Sequence, residues 1–140
     1  MTTVITIEDT LLDVITDLNC WTMVQSAGRK VLPETIYYPA CFVFFDGDDA
    51  VATHPRPVDS IDFKIVIQVQ NMAGENLAAN DAYTLNDLVR SKIRGKTLGI
   101  PDIKPFTCVS RRCTDYDDSE GMIEYTHIYR TQLYQPVVTE

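Results

Sequence analysis

The 140-residue chain has no apolar run near the roughly 20 residues needed to cross a bilayer, which excludes a membrane-spanning helix of that kind. Its opening, Met1-Thr2-Thr3-Val4-Ile5-Thr6-Ile7-Glu8-Asp9, has neither the basic segment nor the continuous apolar core of a secretory signal. The expectation is a mature amino terminus on a chain made and kept in a cytoplasm. Cysteine is scarce. Cys20, Cys41, Cys108 and Cys113 form no CxxC pair and are too irregular for a disulfide framework, so they are expected to be free thiols used for packing. Basic residues are also in short supply, 12 against 20 acidic ones for a net charge of −8. That balance argues against gripping nucleic acid, because affinity for phosphates comes chiefly from Lys and Arg. Phosphate-cradling GxxxxGK[ST], dinucleotide-binding GxGxxG and the GxSxG of serine hydrolases are all absent. So are internal repeats and low-complexity linkers.

What is present is an ordinary globular balance, 45% hydrophobic and 23% charged, in a length that suits one domain over residues 1–140. Ile7, Leu11, Val14, Ile15 and Leu18 recur at helical spacing and predict a helix from Ile7 to Leu18, with Thr6 as N-cap, Glu8 and Asp9 near its positive end and Asn19 as stop. Cys20–Val24 is a short apolar stretch, and Gln25–Lys30 reads as a polar turn or loop. Ala40–Phe45 is an uninterrupted apolar run between Pro39 and the turn-like Asp46-Gly47, suited to a strand covered on both faces. Val58–Gln70 alternates strictly, with Ile61, Phe63, Ile65, Ile67 and Val69 on one side. A second helix is expected over Leu77–Arg94, with Ala78, Ala82, Leu85, Val89 and Ile93 on its stripe, cations in its last turns and Gly95 as cap. Strands over Phe106–Arg112 and Met122–Tyr134 form an antiparallel hairpin across the acidic segment Cys113–Gly121. The fold class is therefore α+β, a mostly antiparallel sheet of long strands packed against two helices. Loops at 46–56, 71–76 and 113–121 leave this core.

The residues that do chemistry are few and dispersed. His54, in the stiff His54-Pro55-Arg56-Pro57, has no Cys or His at ligand spacing, and His127 shares a strand face with Tyr125 and Tyr129, as a core or sheet-surface histidine would. Asp46-Gly47-Asp48-Asp49 lacks the alternation and terminal glutamate of a calcium loop, and a solvated turn accounts for it. Asp115, Asp117, Asp118 and Glu120 are accounted for by a charged segment that blocks edge pairing. No catalytic residue, metal or cofactor is called for. Val58–Gln70 could span roughly 40 Å, longer than the core requires. Either its polar face is an interaction surface, or the strand bends past the core.

The chain's order of elements and patterns resembles the tail-terminator, or tail-completion, proteins of tailed bacteriophages, the Mu-like group included. An amino-terminal helix leads to the Tyr38-Pro39-Ala40-Cys41-Phe42-Val43 strand and an acidic turn. The long strand Phe63–Val69, the helix Ala78–Val89 and a closing antiparallel pair follow. The resemblance implies a small non-enzymatic virion protein that assembles as a six-membered ring at the head-proximal end of the tail tube. Such a ring stops tube polymerisation and offers the neck its attachment surface. The implied partners are further copies of the chain, the tail tube protein, the tail sheath where there is one, and the neck or connector proteins. Genomic DNA would pass the lumen without specific binding, repelled by six copies each at −8. By position alone, Asp46, Asp48, Asp49 and Arg56 in one loop and Asp115, Asp117 and Asp118 in another are expected at ring or tube contacts, with Arg111 and Arg112 in ion pairs between subunits. Two other readings remain: a connector or stopper of the same neck, and a small cytoplasmic enzyme or ligand-binding domain using Cys41, Cys113 or His127.

Overall fold

The computed structural model describes residues 2–26, 36–51, 58–71, 75–117 and 121–134. Helix α1 runs over Val4–Thr16, a turn earlier than the apolar stripe alone indicates. Thr3 rather than Thr6 is its N-cap: Thr3 is extended (φ −124°, ψ 167°) and its Oγ1 accepts the Thr6 amide at 3.2 Å. Placing the start at Val4 moves Glu8 and Asp9 out of the first turn. Glu8 instead turns inward, 3% exposed, and accepts the Ser26 hydroxyl. Past the Asp17 cap, Asn19 takes the left-handed conformation that diverts the chain (φ 56°).

Five strands form one sheet in the order β1-β2-β3-β5-β4. Strand β1, Met23–Ser26, pairs parallel with β2, so Gln25 and Ser26 belong to the sheet and not to a turn. Strand β2 covers Ala40–Val51 and runs straight through the expected turn. A bulge at Asp46 absorbs the extra residue, and Gly47 rejoins the ladder opposite Asp62. The reason is the partner: β3, Val58–Gln70, offers an alternating ladder along its whole length, and pairing with it outweighs the local turn preference. Helix α2, Glu75–Ile93, begins two residues before expectation and shortens the preceding loop. Strand β4, Thr107–Asp117, extends through the acidic stretch for the same reason as β2, because β5, Met122–Tyr134, continues beside it to Met122. β4 carries two register shifts, between Cys108 and Ser110 and between Cys113 and Asp115, and it is an edge of the sheet. All pairings except β1 with β2 are antiparallel.

The core lies on one face. Ile7, Leu11 and Ile15 of α1 and Ala82, Leu85, Val89 and Ile93 of α2 meet Cys41 and Val43 of β2 and Ile61, Phe63, Ile65, Ile67 and Val69 of β3. Each fully buried Ile or Phe contributes about 1.5–3 kcal/mol. Helix α1 rests on β1 and β2, and α2 rests on β3 and β5. Among the described residues, no helix covers the opposite face of the sheet. The first four residues of β2 are buried throughout, as the apolar run implies, whereas Phe44 is half-buried and Phe45 is 40% exposed.

Candidate functional site

Two surfaces carry the polar and exposed groups. The first is a cavity of about 400 Å³ between α2 and the β4–β5 hairpin, lined by Tyr83, Asn86, Asp87, Arg111 and Tyr125. Helical spacing puts Tyr83, Asn86 and Asp87 on adjoining positions of one turn, and the β4–β5 register places Arg111 opposite His127. Arg111 Nη1 donates to Asp87 Oδ1 at 3.0 Å. Tyr83 and Tyr125 meet edge to face with centroids 6.1 Å apart. Burial, together with the hydrogen bond to Tyr83, pushes the Tyr125 phenol up to about 12, so it stays a hydroxyl at neutral pH.

Beneath the cavity lies a buried polar row. His127 is 0% exposed; its Nε2 meets Asn86 Oδ1 at 3.0 Å and its Nδ1 meets the Tyr129 hydroxyl at 2.8 Å. An amide oxygen can only accept, so Nε2 carries the proton and Nδ1 accepts from Tyr129. Burial first, then the charges of Arg111 and Arg90, lower the His127 pKa to about 4. His127 is thus a neutral core residue, as its strand face implied. Neither ring nitrogen meets a thiol, and Cys41 and Cys113 lie on strands separated by β3 and β5. Burial raises the Cys41 thiol pKa strongly, which leaves it protonated and inert.

The second surface is the helix-free face of the sheet. Phe44, Asp46, Lys64, Val66, Ser110, Arg112, Thr114, Thr126 and Ile128 line a shallow depression there. Half-buried Phe44, Val66 and Ile128 form its apolar centre. Lys64 pairs with Asp46 at 3.4 Å, and Arg130 grips Asp62 with two bonds of 2.8 and 3.0 Å. Thr114 bonds Glu124 and Thr126 on the neighbouring strand. Exposed pairs of this kind add little stability, at most about 1 kcal/mol each, so they serve the surface more than the fold.

The residues singled out from sequence are distributed as follows. Asp46, Asp48 and Asp49 lie on β2, and Asp115 and Asp117 on β4, all within strands and not in loops; Arg56 and Asp118 fall outside the described residues. Asp46 and Arg112 come together on the open face. Arg111 and Arg112 diverge to opposite faces, and Arg111 is engaged by Asp87 of its own chain. Sequence reading missed Tyr83, Asn86 and Asp87. Their signal was Asn86, a polar residue four positions after Ala82 and three before Val89, on the stripe that faces the core. Among the described residues, no group of three or more His, Cys, Asp or Glu is placed to hold a metal, and no helix is long and apolar enough to cross a membrane.

No protein-family model matches the chain, and no curated protein matches it in sequence. Among solved structures, one similar chain belongs to a structure described as "Virion of native gene transfer agent (GTA) particle". It is 13% identical, with a TM-score of 0.49, over 89% of this chain and 84% of that one. A likeness at that level carries nothing about function.

Proposed function

We propose that this chain is a structural protein of a phage-like virion: a ring subunit that caps the head-proximal end of the tail tube, halts its polymerisation and presents the attachment surface for the neck. The observation that carries the reading is the helix-free sheet face beside the long β4 edge. Among the described residues, both helices pack on one side, and the other side exposes an apolar centre rimmed by Lys64, Asp46 and Arg112. A small enzyme has no need of such a face, whereas a ring subunit must present two different patches to its two neighbours. The order of helix, strands, helix and closing hairpin that resembles tail terminators also agrees with the elements described. On this reading the ring is a hexamer, its partners are the tube protein, the sheath of a contractile tail and the neck proteins, and its acidic lumen lets DNA slide through. The activity is capping, without catalysis.

Electron microscopy of particles from a lysate in which this gene alone is disrupted tests the reading. Overlong tubes without heads are expected. Normal tails beside separate, filled heads would move the protein into the neck as a connector or stopper, and intact infectious particles would overturn a structural role.

A further inference from the structure

The cavity between α2 and the β4–β5 hairpin is lined mainly by hydrogen-bond donors. Asn86 is only 4% exposed and lines the cavity; its Oδ1 is occupied by His127, and among the described residues no acceptor takes its Nδ2. The amide N–H is not sealed from solvent, so an acceptor there takes the place of water and gains about 0.5–1.5 kcal/mol. Other donors surround the same space. Arg111 uses Nη1 on Asp87 and keeps its remaining N–H groups, and of the Tyr83 and Tyr125 hydroxyls, which bond each other, one proton is left to donate. The acceptor present, Asp87, is 75% exposed and already held by Arg111. At His127, just beneath, the charges of Arg111 and Arg90 oppose a proton and that of Asp87 favours one.

We propose that this cavity binds a carboxylate, its oxygens accepting from Asn86 Nδ2 and the Arg111 guanidinium and its carbon chain lying against the Tyr83 and Tyr125 rings. Planar guanidinium and amide donors suit a planar two-oxygen acceptor. The cavity volume of about 400 Å³ admits a small carboxylic acid or the end of an Asp or Glu side chain. The first would be a free ligand; the second would come from an adjacent copy of this acidic chain, and only that source rests on the ring reading.

The test uses the full chain labelled with ¹⁵N, titrated with sodium acetate against sodium chloride at constant ionic strength, while the Asn86 Nδ2 and Arg111 Nε resonances are followed. Saturable shifts at both, weakened about tenfold or more by Arg111→Gln and unchanged by Lys92→Gln, are expected, since a charge-assisted bond of this type is worth that factor. Shifts that never saturate, or equal weakening by Lys92→Gln, would overturn the pocket and leave only diffuse charge attraction. Tyr83→Phe, at an exposed position, gives a second, milder loss should Arg111→Gln disturb folding. Sedimentation in saturating acetate then separates the sources. Release of subunits supports a neighbour's side chain as the occupant, and unchanged mass supports a free acid; both keep the carboxylate site, and the second does so without the ring.

Discussion

At the scale of single residues, His127 makes the clearest demand on solution conditions. Its folded pKa of about 4 lies below the ordinary 6.5, so below pH 6.5 the unfolded chain binds a proton that the folded chain refuses. The stability contributed by neutral His127 is complete above pH 6.5 and is lost as pH falls toward 4. Urea denaturation should show about 2 kcal/mol lost between pH 6.5 and 5 from this group, and His127→Gln should remove that slope even if it lowers stability at every pH. The thiols give a second expectation. Cys113 is exposed and Cys41 is fully buried, so a thiol reagent should modify Cys113 first and Cys41 only on unfolding. Both residues were visible in the sequence, and so was the character of His127, because its strand alternates cleanly. The cavity above it was not, because it depends on which turn of α2 falls across Arg111. Strand register and helix rotation fix that, and a single stretch of sequence encodes neither.

At the scale of elements, the difference between expected and observed boundaries follows partner strength. Strands β3 and β5 have the bounds that alternation predicts, since each is flanked on both sides in the sheet and every inward residue is apolar or hydrogen-bonded. Strands β2 and β4 overrun theirs. Asp46-Gly47 and the acidic end of β4 look like turns in isolation, yet each lies beside a partner already extended, and a bulge costs less than breaking the ladder. The start of α1 was misplaced for a smaller reason: Thr3 and Thr6 are both good caps, and only geometry shows which hydroxyl accepts the free amide. Thermal melts of two variants test that choice. Thr3→Ala should cost about 1 kcal/mol and Thr6→Ala appreciably less, because Thr6 contributes its backbone amide to the cap, and alanine retains it.

At the scale of the whole molecule, a charge of −8 per chain means that copies of the chain repel one another unless local contacts oppose it. Lys64 and Arg130 of the open face are paired with Asp46 and Asp62, whereas Arg112 is exposed there and no described carboxylate pairs with it. On the proposed ring reading, Arg112→Glu should leave a folded monomer, within about 0.5 kcal/mol of the parent, while shifting assembly sharply toward that monomer in sedimentation or native mass measurements. Unchanged assembly would remove Arg112 from the interface. The strand order carries one more implication. β5 is the last strand among the described residues but lies inside the sheet, with β3 on one side and β4 on the other. Val58 waits for Tyr134 and Gln70 for Met122, so the middle of the sheet closes only after β5 has been synthesised. Until β5 is made, β3 has β2 on one side and unpaired backbone on the other, so a chain cut short before Met122 presents an open edge on which other chains can add, and the strand that seals it also completes the core.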